Sequence, residues 1–185
     1  MSETDLIHQC QSGDLSHFSE LYALYIDKIY RFCYLKTSHQ QTAEDITSAV
    51  FTKALEKIES FDTSRSGTFQ AWLYKIAYNS IVDYYRSDTQ NPNLEQIQEY
   101  HFYKSHDYGE SIDNKETLKK IRTFLETIPP LHAEIVLLRV WEDLWYNEIS
   151  VITGKTVDNC KQIFSRSLKK IQANITSLLL VLLIL

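Results

Sequence analysis

Apolar side chains recur at steps of three and four along residues 69–86, which predicts an amphipathic helix. The apolar face of this helix carries Phe69, Leu73, Ile76, Ser80 and Tyr84. A second face carries Lys75, Tyr78, Asn79, Val82 and Arg86. Proteins bind single-stranded DNA with aromatic rings, amides and cations, so the second face indicates a nucleic-acid contact. The segment by itself leaves open that its aromatic residues only line a helical core.

The chain as a whole favours long helices. Its 185 residues include four glycines and three prolines, and the glycines fall between helical segments. We therefore predict an all-α fold of two small helical domains joined by a polar linker. The domains are expected at residues 1–88 and 113–173, with the linker at residues 89–112 and an apolar tail at residues 174–185.

Within the first domain, the apolar periodicity predicts helices over residues 4–12, 14–37 and 42–60. Asp14 and Thr42 are the expected N-caps. The expected buried stripe of the second helix is Phe18, Leu21, Tyr22, Tyr25, Ile29 and Phe32.

Several site classes are not indicated. Four glycines are too few for a glycine-rich phosphate loop, which argues against a Rossmann or P-loop enzyme. Adjacent acids such as Glu44 and Asp45 point about 100° apart on a helix and cannot share a substrate atom, so we expect no catalysis. No cofactor and no metal site are predicted, because the cysteines are scattered and His101 and His106 stand in the linker without further ligands. Cys10, Cys33 and Cys160 are expected to be small buried residues.

The N-terminal residues and the charge distribution indicate where the protein is located and what it binds. Residues 1–10 contain no apolar core, so we expect no secretory signal and a cytoplasmic protein. The formal net charge is −5, yet residues 155–185 carry five Lys or Arg residues and one acidic residue. A basic patch on an acidic protein suits a DNA contact that depends on a second, larger partner.

The second domain has the spacing of a helix-turn-helix. A short helix over residues 145–152 meets a tight turn at Thr153–Lys155, and a longer helix begins near Thr156 and runs through Ile171. Amides and cations in the first turns of such a helix can contact base edges and phosphates in a major groove. The candidate residues are Lys155, Thr156, Asp158, Asn159, Lys161, Gln162, Ser165, Arg166 and Lys169. The alternative is an ordinary solvated helix face.

Taken together, these segments resemble the bacterial sigma factors of the extracytoplasmic-function (ECF) class. The resemblance covers nearly all of residues 15–171. The motifs, in the order of the family, are F-x-E-L-Y from Phe18, A-E-D-I from Ala43, V-F-T-K-A from Val50, W-L-Y-K-I-A-Y-N-x-x-x-D-Y-Y-R from Trp72, I-P-P from Ile128 and L-R-V-W-E-D-L-W-Y-N-E-I-S from Leu138.

The resemblance implies that the first domain binds the clamp of core RNA polymerase and reads the −10 promoter element, while the helix over residues 156–170 enters the −35 major groove. The implied polymerase contacts are Asp45, Ser48, Ala49 and Phe51. The implied −10 contacts are Arg65, Ser66, Lys75, Tyr78, Asn79, Asp83 and Arg86, with the loop at residues 63–68 holding an extruded base. The implied partners are core RNA polymerase, promoter DNA and an anti-sigma protein.

Two positions depart from the family pattern. Ser48 and Ala49 stand where the family usually has Gln and Glu, which removes an amide and a carboxylate from the implied polymerase contact. Asp158, Asn159 and Cys160 replace the usual residues of the recognition helix, so the −35 sequence is not carried over.

The last eight residues, Leu178–Leu185, are all apolar. As a helix they reach about 12 Å, far short of the roughly 30 Å hydrocarbon core of a membrane. Packing on the second domain or self-association is the favoured expectation, and the end of a longer membrane segment is the alternative. Two other functions stay open at this point: a helix-turn-helix regulator that binds duplex DNA without polymerase, and a helical adaptor that binds protein.

Overall fold

A computed structural model describes residues 1–62, 67–88 and 128–184, the last fourteen of these by their backbone alone. The described residues are helical apart from short turns, which confirms the all-α prediction. The predicted linker at residues 89–112, its two histidines and the predicted second domain up to residue 127 lie outside the described residues, and the domain boundaries stay a prediction.

The described residues of the N-terminal unit form four α-helices. They are α1 (Glu3–Gln11), α2 (Phe18–Thr37), α3 (Gln40–Lys57) and α4 (Phe69–Asp88). Single 3-10 turns, Leu15–His17 and Ile58–Ser60, precede α2 and follow α3. Helix α4 packs against both α2 and α3, so its apolar residues fill the centre of the unit.

The described residues of the C-terminal unit form three helices, α5 (Pro130–Val140), α6 (Tyr146–Thr153) and α7 (Val157–Ile184). Pro130 occupies the first turn of α5, where its missing N–H costs nothing. Helix α7 packs against α5 and α6, and α6 also packs against α4 of the N-terminal unit. None of the described helices is long and apolar enough to cross a membrane.

Some expectations about caps and burial are corrected by the structure. Helix α3 starts before Thr42, because the His39 ring nitrogen accepts a hydrogen bond from the Thr42 N–H and caps the helix instead. Tyr22 and Tyr84 are exposed rather than buried, since α2 and α4 turn Tyr25 and Tyr85 into the core. Asp14 caps the 3-10 turn before α2, and all three cysteines are buried as predicted.

Gly154 ends α6 in the left-handed conformation, with φ of 70°. A Cβ atom at this position would meet no atom within 4 Å, so a substitution would strain the backbone without a clash. We expect Gly154→Ala to lower the free energy of unfolding of the C-terminal unit by about 1 kcal/mol. Gly154→Asn should cost less, because Asn adopts this conformation more readily. Urea denaturation of the two variants measures the difference, and equal losses would contradict the explanation.

Candidate nucleic-acid and polymerase interface

The predicted DNA-binding residues of α4, called here the α4 face, are Lys75, Tyr78, Asn79, Asp83 and Arg86. Asn79, Asp83 and Arg86 are exposed, and Arg86 lies 3.8 Å from Asp83, one helical turn away. Tyr78 is half-buried, and the Lys75 ammonium lies 5.7 Å from the centre of its ring. The structure thus brings these side chains to one side of a helix whose opposite side is fixed in the core.

Lys75 differs from the rest of the α4 face because it contacts the C-terminal unit. Its Nζ donates a hydrogen bond of 2.7 Å to the carbonyl oxygen of Ile152 in α6. Burial lowers the pKa of Lys75. The other predicted contacts of this group, Arg65 and Ser66, lie outside the described residues.

The predicted polymerase-binding residues lie on α3. Asp45, Ser48 and Ala49 are exposed and form what we call the α3 surface. Phe51 is 5% exposed, and its ring centre lies 4.7 Å from that of Tyr22. Phe51 therefore supports the α2–α3 packing and offers little area of its own to a partner.

A groove of about 810 Å³ runs between α2 and α3 beside the α3 surface. Aromatic and apolar side chains line most of it, with Ser48 and Thr52 among the polar residues. A groove of this kind next to small exposed residues allows a helix of a partner to approach closely.

The helix-turn-helix is present with nearly the predicted bounds. Thr156 lies just before α7, and its hydroxyl accepts a hydrogen bond of 3.2 Å from the Asn159 N–H. Lys161 lies 3.7 Å from Asp158 across one turn. All nine predicted −35 residues are exposed, and they form what we call the α7 face: Lys155, Thr156, Asp158, Asn159, Lys161, Gln162, Ser165, Arg166 and Lys169.

The buried side of α7 carries Cys160, as predicted, and Ile163, whereas Leu168 is 42% exposed. Ser167 takes the buried position and donates a hydrogen bond to the Ile163 carbonyl oxygen, 2.8 Å away. The side chain of Ile171 lies outside the described residues.

Sequence reasoning missed a contact between the two units that centres on Glu142. Arg31 Nη2 of α2 lies 2.9 Å from both oxygens of the Glu142 carboxylate. The Tyr74 hydroxyl of α4 donates to the same carboxylate, and Gln70 donates to the Glu142 backbone carbonyl oxygen at 2.7 Å. Burial and the neighbouring carboxylate both raise the pKa of Tyr74.

Two further carboxylates of the C-terminal unit face the N-terminal unit. Glu134 of α5 pairs with Lys36 of α2, and Glu148 of α6 accepts a hydrogen bond from the Thr68 hydroxyl. Burial lowers the pKa of Lys36 to about 7, while the adjacent carboxylate favours its charged form. The sequence signal for Glu134 is a carboxylate inside the apolar run A-E-I-V-L-L from Ala133, which needs a buried partner.

Two family models match the chain in the order of the two units. The model for Sigma-70 region 2 matches residues 21–90, and the model for Sigma-70, region 4 matches residues 118–171. One relative, the ECF RNA polymerase sigma factor BldN of Streptomyces coelicolor, is 29% identical over 170 residues. The chain belongs to the ECF sigma factors.

Other relatives match this sigma factor over different lengths. The RNA polymerase sigma factor YlaC of Bacillus subtilis is 27% identical across 85% of this chain and 91% of its own. The ECF RNA polymerase sigma factor SigW of Bacillus subtilis is 40% identical across 42% of this chain and 40% of its own. The match with BldN spans 89% of this chain and 62% of BldN.

Two solved structures share the fold of this sigma factor. One is CnrH in complex with the cytosolic domain of CnrY, with a TM-score of 0.67 and 19% identity over 93% of this chain and 96% of the other. The second is RpoE of Bartonella quintana in complex with the anti-sigma factor NepR, with a TM-score of 0.67 and 20% identity over 86% of this chain and 96% of the other. These two structures show the shared fold, and the two family models confirm the resemblance stated from the motifs.

Proposed function

We propose that this sigma factor binds core RNA polymerase through the α3 surface and directs it to promoters in the cytoplasm. The N-terminal unit reads the −10 element with the α4 face, and the C-terminal unit reads the −35 element with the α7 face. The observation that carries the proposal is the presence of both sigma regions on one chain, with Asn79, Asp83 and Arg86 of the α4 face and the whole α7 face exposed. The chain performs no catalytic step in this scheme.

The α4 face suits an unpaired strand better than a duplex. Tyr78 supplies a ring on which a base can stack, and Asn79 supplies an amide that can bond a base edge. Arg86 supplies a cation for a phosphate one or two nucleotides away. The exposed positions of Asn79 and Arg86 support this assignment.

The α7 face suits a duplex. Lys161, Gln162, Ser165, Arg166 and Lys169 project from the first turns of the second helix, where a helix-turn-helix meets the major groove. Cations there contact phosphates and guanine, and amides contact adenine. The positive charge of the chain is also concentrated in residues 155–185.

An anti-sigma protein is the further partner that we propose. The structure of RpoE contains one, the anti-sigma factor NepR, and that sigma factor shares this fold. The groove beside the α3 surface is the candidate binding site for the anti-sigma protein. An anti-sigma protein bound there would compete with polymerase for the α3 surface.

Run-off transcription tests the proposed function. Purified core RNA polymerase is supplied with fragmented genomic DNA of the source organism, with and without the sigma factor, and the 5′ ends of the transcripts are sequenced. We expect new start sites that share paired elements near −10 and −35. If no start depends on the added chain, while the same polymerase is active with its usual sigma factor, the proposal is wrong.

Two substitutions separate the roles of the two faces. We expect Asn79→Ala to slow promoter opening about tenfold, as for the loss of one specific base contact, with little effect on duplex binding. Arg166→Ala should weaken duplex binding and lower the slope of log affinity against log salt by about 1. Permanganate footprinting measures opening, and a salt titration of duplex affinity measures binding. Equal effects of both substitutions on both steps would contradict the division of roles.

A further inference from the structure

We propose that Gln11 is a positioning residue for recognition of the −10 element. From helix α1 it holds the backbone at the end of α3, and so it fixes one end of the segment that joins α3 to α4. The inference rests on the proposed function, because that function assigns reading of the −10 element to the N-terminal unit.

The Gln11 side chain makes two hydrogen bonds to the backbone at the end of α3. Its Nε2 donates to the carbonyl oxygen of Ile58 at 3.2 Å and to that of Phe61 at 2.8 Å. A side-chain amide has two N–H hydrogens, so one group serves both oxygens. Carbonyl groups at the end of a helix lack the regular helical partner, and Gln11 supplies donors for these two from 47 and 50 positions away.

Helix α1 is itself fixed, so Gln11 acts from a rigid support. Leu6, Ile7 and Cys10 are buried in the core, and Ser2 closes a capping box at the start of the helix. Gln11 is the last residue of α1 and is half-buried. Because the helix behind Gln11 is held in this way, the two hydrogen bonds define the direction of the chain at the end of α3.

The ring of Phe61 passes this constraint to the start of α4. Its centre lies 5.5 Å from that of the Phe69 ring and 5.0 Å from that of the Trp72 ring. Phe69 begins α4, and Trp72 lies about one turn before Lys75, the first residue of the α4 face. The rings therefore join the two ends of the segment between α3 and α4, and Gln11 fixes the first of these ends.

The residues between these ends have side chains that suit a base and its phosphate. Thr63, Ser64 and Ser66 carry hydroxyls, and Arg65 carries a cation. Their own positions lie outside the described residues. A segment with fixed ends loses less conformational freedom on binding, and it adapts less to a base that does not fit. We therefore expect the two Gln11 hydrogen bonds to sharpen the choice of base.

Discrimination between bases of the −10 element tests this role. The probe is a forked promoter duplex from the run-off experiment, single-stranded across the −10 element, together with copies in which one non-template base of that element is changed. The measured quantity is the ratio of the affinities for the original and the changed probe. A general loss of stability lowers both affinities together, whereas a misplaced segment lowers the ratio.

Gln11→Met and Gln11→Asn remove the two hydrogen bonds in different ways. Met has the length of Gln without a donor, and Asn keeps the amide but is one methylene shorter. We expect each variant to lower the ratio about tenfold at one or more positions, out of the roughly five- to hundredfold that a mismatched base costs. Asn is polar and serves where Met does not fold. The ratio of the unmodified chain in folded variants would overturn the proposal.

Gln11→Lys tests whether donation to the two oxygens is the cause. The Lys ammonium has three donors at a similar reach, so we expect this variant to keep the ratio within about twofold of that of the unmodified chain. If Gln11→Lys lowers the ratio as much as Gln11→Met does, the two hydrogen bonds do not explain the effect.

The matched control is Ser2→Ala. It removes the hydroxyl that accepts a hydrogen bond of 3.2 Å from the Asp5 N–H, and so it weakens α1 at the end opposite to Gln11. Urea denaturation shows which variants are folded at the temperature of the assay. We expect Ser2→Ala to leave the ratio unchanged. A ratio as low as that of Gln11→Met would show that any loosening of α1 has this effect, which contradicts a specific role of Gln11.

The unmodified chain separates this inference from the proposed function. If it prefers particular bases in the −10 element and the Gln11 variants keep that preference, the −10 assignment stands and the role of Gln11 is wrong. If the unmodified chain binds all the probes equally, the −10 assignment itself is wrong, and the role of Gln11 fails with it.

Discussion

Phe32→Ala is expected to lower the free energy of unfolding of the N-terminal unit by about 3–5 kcal/mol, a large part of the roughly 5–15 kcal/mol of a whole domain. Phe32 is 0% exposed, and its ring meets the Tyr74 ring edge-on at 5.1 Å between centres. Removal of the ring leaves a cavity between α2 and α4 that the packed neighbours can fill only in part. Tyr74, whose hydroxyl donates to Glu142, would also lose its ring contact with Phe32.

Urea denaturation followed by tryptophan fluorescence measures this loss, because Trp72 packs on Phe61 and Phe69 in the same unit. Leu24→Ala is the control, since Leu24 is on α2 but 54% exposed. We expect it to cost no more than about 0.5 kcal/mol. A loss of similar size in both variants would contradict core packing as the cause, because helix propensity favours Ala at both positions and cannot produce either loss.

Periodicity predicted most of the fold, because each helix of the N-terminal unit buries a stripe at steps of three and four. Ile46, Val50, Ala54 and Ile58 of α3 are buried as that pattern requires. Prediction was less accurate for α4, which packs on two helices and buries Tyr74, Ala77, Ile81 and Tyr85 beyond the single stripe. A helix with neighbours on two sides has a wide buried arc, and the sequence alone does not reveal how many neighbours it has.

The motifs located the candidate surfaces because local spacing fixes which side chains share a helix face. Asn79, Asp83 and Arg86 are four and three residues apart, and the structure exposes all of them. The contact of Glu142 with Arg31 could not be predicted in the same way, since it joins residues 111 positions apart. Such a contact depends on how two units meet, and no local pattern specifies that.

Ala49→Arg is expected to weaken the binding of core RNA polymerase about a hundredfold or more. Ala49 is exposed on the α3 surface, one helical turn after Asp45 and next to Ser48, which lines the groove. We expect polymerase to pack closely on this small residue and to exclude water from it. An arginine there would hold the two protein surfaces apart and would bury an unpaired charge. Polymerase binding is the first step of the proposed function. The Ala49→Arg variant should therefore give no promoter-dependent transcription at protein concentrations that suffice for the unmodified chain.

Two variants define what the Ala49→Arg result means. Ala49→Ser keeps the small size and should bind polymerase as the unmodified chain does, whereas Gln9→Arg adds a positive charge at an exposed position of α1 and should also bind normally. Fluorescence anisotropy of the labelled sigma factor against core polymerase measures all three affinities. If Ala49→Arg binds polymerase as tightly as Gln9→Arg, then Ser48 and Ala49 do not lie in the contact with polymerase. The absence of the usual Gln and Glu side chains at these positions would then reflect a different polymerase-binding surface on this chain.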